Sequence, residues 1–336
     1  MIIAVDAMGG DSAPEVVIQG VAQALSENSA ITKIVLVGDE ERINELLVKH
    51  SLADHAKIEV THASQVVEMH EPSTLAIRGK KDSSITVATN LAKEKKVDAV
   101  VSAGHTGAAV AASVVKMRNL EGIDRPAIAT IFPAPKRHFI IVDAGATPQC
   151  TPDNLVQFAI MGEIYARKIL KIKNPKVGLL SNGEEESKGN DLTKETLKLL
   201  KNVKSLNFIG NIEGKHIFDG EVDVVVCDGF TGNIILKFSE GLAGGLFSML
   251  KEKLEANPKR KVGALLAKNA FREVKNISDK AEYGGAPLMG VNGVCIIGHG
   301  GSCPKAIKNA IRVAGQFIKL GINQEIVDRI KEYKST

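Results

Sequence analysis

VDAVVSAGHTGA, residues 97–108, combines a short apolar, β-branched run, a glycine-bearing turn and the first residues of a helical pattern. An apolar run of this length without alternation reads as a strand buried on both faces. The unit returns as VDVVVCDGFTGN at residues 222–233, again a valine-rich strand with a G-x-T-G turn and a helix behind it. Further apolar runs end in small polar residues: IIAVDAMGGD (2–11), IVLVGDE (34–40), IIVDAGAT (140–147), VGLLSNGEE (177–185) and CIIGHGGS (295–302). Helical patterns at 14–25, 84–95, 152–170, 192–201 and 305–319 separate them. Ser12 with Glu15 predicts a capping box, and Thr151 before Pro152 predicts an N-cap. Strands alternating with helices predict an α/β fold with a mostly parallel sheet covered on both faces. Ligands of open α/β sheets bind beyond the carboxyl ends of the strands, so the seven polar turns are expected along one edge.

The 336 residues allow one large α/β domain or two. A hydrophobic fraction of 44% with 24% charged residues excludes a disordered chain. Aromatic content of 4% without Trp argues against a base-stacking nucleic-acid platform. Four cysteines without a CxxC pair argue against a zinc site or disulfide framework and fit a reducing cytoplasm. The opening MIIAVDAMGGD has no basic leader, and the longest uncharged run, 99–115, is too short and too polar to span a bilayer. The expectation is a protein that is soluble or at most peripheral to a membrane. The formal net charge of +4 is mild, but eight basic and three acidic residues fall between Met249 and Lys275. Leu242, Leu246, Leu250 and Leu254 recur at four-residue spacing before Pro258, and residues 262–274 are again amphipathic. Residues 240–275 therefore read as a helical hairpin set on the α/β body.

A G-x-T-G turn opening a helix offers free backbone N–H groups, a hydroxyl and the positive end of the helix dipole, which suits phosphate or carboxylate. Gly104, His105, Thr106 and Gly107 in the first copy, and Gly229, Thr231 and Gly232 in the second, are the expected anion contacts. Gly9 and Gly10 lie on the first loop between Asp6 and Asp11; these carboxylates could act as a base or tie the loop down through N–H bonds. Lys188 is the only cation in SNGEEESKGN (181–190), where it could hold an anion or stabilise a developing oxyanion, or be a surface lysine. The three acids beside it could hold a metal but more simply are solvated. Asn233 could donate an amide N–H to a carbonyl oxygen or simply cap its helix. His299 and Cys303 give no geometric sign of a nucleophilic pair. Neither a Walker loop nor a G-x-G-x-x-G after the first strand is present, so nucleotide binding is not favoured.

Seven ordered blocks spanning the chain resemble the PlsX family of bacterial phosphate acyltransferases: VDAMGGDSAP (5–14), SAGHTGA (102–108), GIDRPA (122–127), VDAGA (142–146), LSNGEEESKGN (180–190), CDGFTGN (227–233) and YGGAPLMGVNGVCIIGHGGS (283–302). The resemblance implies a single Rossmann-like three-layer α/β/α sandwich over residues 1–336, usually dimeric. It implies attack of inorganic phosphate on the thioester of a long-chain acyl carrier protein, without cofactor or metal. The acyl phosphate would pass to a membrane glycerol-3-phosphate acyltransferase, which places a cytoplasmic protein against the membrane surface. Lys188 and Asn233 would be the catalytic pair, with Asp6, Gly9, Gly10, the two G-x-T-G turns and His299 around the phosphate. The family pattern has Asn where this chain has His105. The nearest enzymatic alternative is a CoA-dependent phosphotransacetylase. A dehydrogenase on the related fold would need nucleotide contacts the sequence lacks, and a non-catalytic adaptor would not need polar strand ends.

Overall fold

The computed structural model describes residues 1–277 and 279–335; within the basic stretch, the side chain of Lys275 lies outside the described residues. Among the described residues eleven strands form one sheet: β1 (Ile2–Asp6), β2 (Lys33–Gly38), β3 (Ile58–His62), β4 (Ala99–Ser102), β5 (Ala127–Phe132), β6 (Phe139–Val142), β7 (Lys176–Ser181), β8 (Asn207–Glu213), β9 (Val224–Val226), β10 (Ala286–Met289) and β11 (Cys295–Ile297). Their order is β3-β2-β1-β4-β11-β10-β5-β6-β9-β7-β8. Both faces are covered, as the continuous apolar runs require. Ile3 and Val5 of β1 belong to one core cluster, and Ala4 between them belongs to a second on the opposite face. The helix Pro152–Tyr165 is buried from Asn154 onward, and Thr151 forms the expected cap, accepting from the Asn154 N–H while the Asn154 side chain accepts from the Thr151 N–H.

The single binding edge needs correction. β3, β2, β1, β4 and β11 are parallel; β10 runs against β11, β5 against β10, and β6 against β5. β9, β7 and β8 then follow β6. The two parallel blocks therefore point in opposite directions. The turns after β1, β2, β4 and β11 lie on one edge, and those after β6, β7 and β9 on the other.

The helix Gly229–Glu255 reconnects the edges. It starts at the turn after β9, and twelve residues beyond its Asp228 cap Glu240 meets Lys280 (2.9 Å) and faces His299 Nε2 (3.9 Å) in the loop after β11. At 1.5 Å per residue that is roughly 18 Å along the axis. Leu236 packs against apolar clusters from both halves. The arm predicted at 240–275 thus continues a 27-residue helix, followed by Pro258–Leu266, which Asn257 caps, and Lys268–Ile277. The Ser12–Glu15 capping box does not form: Pro14 occupies the cap position without a side-chain bond, and Glu15 turns instead to Lys49 and His50.

Candidate active site

At the first edge, the sequence-predicted residues Asp6, Gly9, Gly104 and His105 come together with Ser84 and Ser102, which sequence reasoning did not single out. The Gly104 N–H donates to Ser102 Oγ (3.2 Å), whose hydroxyl donates to Asp6 Oδ2 (2.7 Å), while the Met8 N–H donates to Asp6 Oδ1 (3.3 Å). Burial pushes the Asp6 carboxyl above its ordinary range, against the pull of Ser84, Ser102 and the backbone. Side chains are excluded here: a Cβ on Gly9 would fall 2.7 Å from both Asp6 Oδ2 and Gly104 N. Gly10 adopts φ +119°, and the Asp11 N–H donates to Gly300 O (2.9 Å), which joins the loop after β1 to the loop carrying His299.

His105 caps the helix Thr106–Met117. Its Nδ1 accepts from the Ala108 N–H (3.2 Å), as an asparagine oxygen would, and the proton of the neutral ring therefore sits on Nε2. Thr106 is exposed at the helix start, and Gly107 leaves room for Ser73, whose Oγ would be 2.2 Å from a Cβ there. This turn carries imidazole, hydroxyl and backbone N–H groups, with the Asp6 carboxyl buried beneath them.

At the second edge the echo holds in sequence but shifts in structure. The helix begins at Gly229 rather than after the G-x-T-G, because Asp228 is the cap. Its carboxylate accepts from the Thr231 N–H (2.9 Å) and the Thr231 hydroxyl (2.7 Å), so the donors expected to serve an anion are already taken. Beneath lies Asp143, fully buried. Its Oδ1 accepts from the N–H groups of Ile128 (2.8 Å), Gly145 (3.0 Å) and Ala146 (2.9 Å), and its Oδ2 from Thr147 (2.6 Å). Burial raises this carboxyl too. A Cβ on Gly229 would lie 2.5 Å from Asp143 Oδ2, and one on Gly232 would be 1.9 Å from the Asp143 carbonyl oxygen. Asp143 was legible only as the recurrence of VDA at 5–7 and 142–144, a signal the turn motifs overshadowed.

Asn233 is exposed on the first turns of this helix. Lys188 is also exposed, in the loop after β7 on the same edge, and its backbone N–H donates to Glu185 O (3.0 Å). Lys215, with Lys188 among the further charges, holds the Glu213 carboxyl below its ordinary range. His299 accepts the Gly301 N–H on Nδ1 (3.1 Å) and turns Nε2 toward Glu240, which leaves no pairing with Cys303. Burial drives the Cys150 thiol up to about 12 and Cys227 well above its ordinary value, so neither thiol beneath the second turn has thiolate character. Among the described residues no metal-holding cluster of His, Cys, Asp and Glu forms. The acids beside Lys188 face other partners: Glu184 lies 3.7 Å from His216 Nε2, and Glu186 lies 2.5 Å from Lys201. They line a groove of about 710 Å³ along β8, walled by surface ion pairs, and no residue of either glycine turn is among its lining residues.

The fold is similar to the α/β fold of solved phosphotransacylases. A phosphotransacetylase from Streptococcus pyogenes superposes with a TM-score of 0.61 at 17% identity, covering 98% of this chain and 94% of its own. A model of a family described as fatty acid synthesis protein matches residues 1–325. Proteins named phosphate acyltransferase from Geotalea daltonii and Desulfitobacterium hafniense are 52% and 50% identical over 99% of this chain, which covers 95% and 98% of their lengths. The chain belongs to this phosphate acyltransferase family.

Proposed function

We propose that the chain transfers a long-chain acyl group from acyl carrier protein to inorganic phosphate, with residues 1–336 acting as one catalytic unit and 240–275 as its arm. The observation that carries this reading is the helix Gly229–Glu255, which runs from the amide of Asn233 to the first-edge loop of His299. Phosphate sits at the first turn, among the backbone N–H groups around Gly104–Gly107 and the N-terminus of the helix Thr106–Met117. Asn233 lies seven residues before Glu240 on the connecting helix, roughly 10 Å along the axis from the residue that faces the His299 loop.

A phosphate oxygen attacks the thioester carbonyl carbon, the C–O bond forms, and the C–S bond breaks to release the carrier thiolate. A free thiol has a pKa of about 8.5, so this leaving group needs little protonation. Asn233 and Lys188 stabilise the carbonyl oxygen as it becomes an oxyanion, and phosphate itself is the nucleophile, so no covalent enzyme intermediate is required. The test is incubation with palmitoyl carrier protein and labelled phosphate, with palmitoyl-CoA as the second arm. Acyl phosphate from the carrier thioester supports the reading; acyl phosphate from CoA alone replaces it with a CoA-dependent phosphotransacetylase.

The arm fits a membrane surface and a second copy of the chain. Phe230, Ile234, Phe238, Leu242, Leu246 and Leu250 form an exposed stripe at four-residue spacing, a seam suited to a homodimer. Past Pro258, exposed Val262, Leu265 and Leu266 lie beside Lys259, Arg260 and Lys261. Each cation near an anionic surface contributes about 1 kcal/mol, and buried apolar side chains add to it. This would hold a cytoplasmic enzyme where a membrane glycerol-3-phosphate acyltransferase takes the acyl phosphate. Changing Leu265 and Leu266 to Glu is expected to abolish sedimentation with anionic liposomes and leave soluble acyl transfer intact. Undiminished sedimentation removes the membrane role.

A further inference from the structure

We propose that Asp143 is the positioning residue for Asn233, acting on the donor amide through the loop 143–147 and never touching substrate. The inference rests on the reading of Asn233 as an oxyanion donor. Both carboxylate oxygens are committed: four backbone N–H groups converge on them, from Ile128 on β5 and from Gly145, Ala146 and Thr147 in the loop itself. The loop is thereby wound around the carboxylate, with Gly145 at φ +136° in the region that favours glycine.

Beyond the Asp228 cap, the start of the Asn233 helix is held by contacts from this loop. Thr147 O accepts the Gly229 N–H (2.9 Å), the first residue of the helix. The helix backbone at Gly232 rests against the Asp143 carbonyl so closely that a Cβ there would sit 1.9 Å from the oxygen. The Asn233 side chain itself packs over Gly145, 3.4–3.5 Å from where a Cβ would stand. Displacing the loop therefore displaces the amide, and a misplacement of about 1 Å at a reacting centre is enough for a 10²-fold loss.

Only a carboxylate can do this. An asparagine at 143 would turn an NH2 group toward at least one backbone N–H, leaving two donors facing each other in a site without water access. Asp6, the counterpart at the first edge, is different: its Oδ2 partner is the Ser102 hydroxyl, which can rotate to accept instead of donate.

The experiment is a double-mutant cycle on the full chain with palmitoyl carrier protein and labelled phosphate, with thermal melts on every variant. Asn233→Ala is expected to lose about 10²–10³ in kcat. Asp143→Asn is expected to lose about 10² in kcat with each KM within about 3-fold, and the double variant to fall within about 3-fold of Asn233→Ala. Should Asp143→Asn not fold, Gly145→Ala probes the same loop without touching the carboxylate; a kcat loss of about 10-fold that vanishes in the Asn233→Ala background is the expected result. Losses that multiply, or a folded Asp143→Asn or Gly145→Ala with parental kcat, overturn the inference alone. A parent chain that forms no acyl phosphate overturns the reaction and this inference with it.

Discussion

The turns after β4 and β9 share a sequence and differ in chemistry. At the first, an imidazole caps the helix, a serine hydroxyl relays Gly104 to Asp6, and the acid lies buried beneath the turn instead of capping its helix. At the second, Asp228 caps the helix and takes both Thr231 donors, and Asp143 gathers four backbone N–H groups below. A dianion approaching the second turn meets a carboxylate at the helix N-terminus; at the first it meets N–H groups. The two similar strand-turn-helix units thus differ in their polar groups: on the proposed reading the first presents backbone to an anion, whereas the second spends its polar groups on holding a helix. Each half also keeps a shared piece of scaffolding. The Ile2 N–H donates to Asp98 Oδ2 (2.7 Å) and the Lys176 N–H to Asp223 Oδ2 (2.8 Å), so the Asp at the head of each echo aligns the neighbouring strand.

The largest effects should come from the second edge and appear in turnover. Lys188→Ala and Asn233→Ala are each expected to lose at least about 10² in kcat with an unchanged melting temperature, because both side chains are exposed and removal of one oxyanion donor typically has that effect. Parental turnover in a folded Lys188→Ala would confine catalysis to the helix and leave the loop after β7 as surface. At the first edge the signature should be the phosphate KM. A Cβ on Gly104 would meet Gly9 Cα at 3.1 Å and Ser102 Oγ at 3.4 Å, a tight but tolerable fit. Gly104→Ala is therefore expected to fold and to raise the phosphate KM about 10-fold or more, because the added methyl holds the anion off the N–H groups of the turn and weakens a hydrogen bond to a charged group. An unchanged KM would make the two turns functionally alike.

Much of this division was hidden from the sequence for physical reasons. The apolar runs with glycine ends located β1, β2, β4, β6, β7, β9 and β11, because strands buried on both faces must be continuous. β5 runs into PAPKR and β10 is a four-residue strand that contains Pro287, so neither read as such a run, and theirs are the antiparallel pairings. Without them the two parallel blocks read as one, and seven turns appeared to share an edge. The turn residues themselves were legible as types; their allocation was not, since GHTG and GFTG differ by a single letter while the cap moves from His105 to Asp228. Asp143 was visible as the end of a strand, and nothing local in VDAGA announces four N–H partners.

A smaller effect tests the charge beneath the first turn. Asp6 has its carboxyl raised by burial above its value in the unfolded chain. The folded state therefore holds that proton more tightly: the stabilisation is fully present below the unfolded value of about 4 and is lost as pH rises through the folded one. Asp6→Asn cannot titrate, so its melting temperature should fall less than the parent's between pH 4 and pH 7. Asp143 shares the direction and remains in the variant, so the flattening is partial. Parallel curves would show that Asp6 gains no proton on folding, and the contrast between the edges would narrow to their caps.

The smallest expected change concerns His105. Its Nδ1 does for the Ala108 N–H what an asparagine side-chain oxygen does at an N-cap, and Asn ranks among the best caps. At pH 8, His105→Asn should keep turnover within about 2-fold and stability within about 0.5 kcal/mol, since one acceptor replaces another on the same donor. Removing the acceptor separates the two cases: His105→Ala leaves the Ala108 N–H without its cap and should lower stability by about 1 kcal/mol. At the second edge, Asp228→Asn provides the mirror test: it retains an acceptor oxygen for the Thr231 N–H but removes the negative charge, and should make that turn more tolerant of phosphate without improving the cap. If His105→Ala melts as the parent does, the imidazole is not the acceptor that starts the first helix, and the two turns differ by less than their geometry indicates.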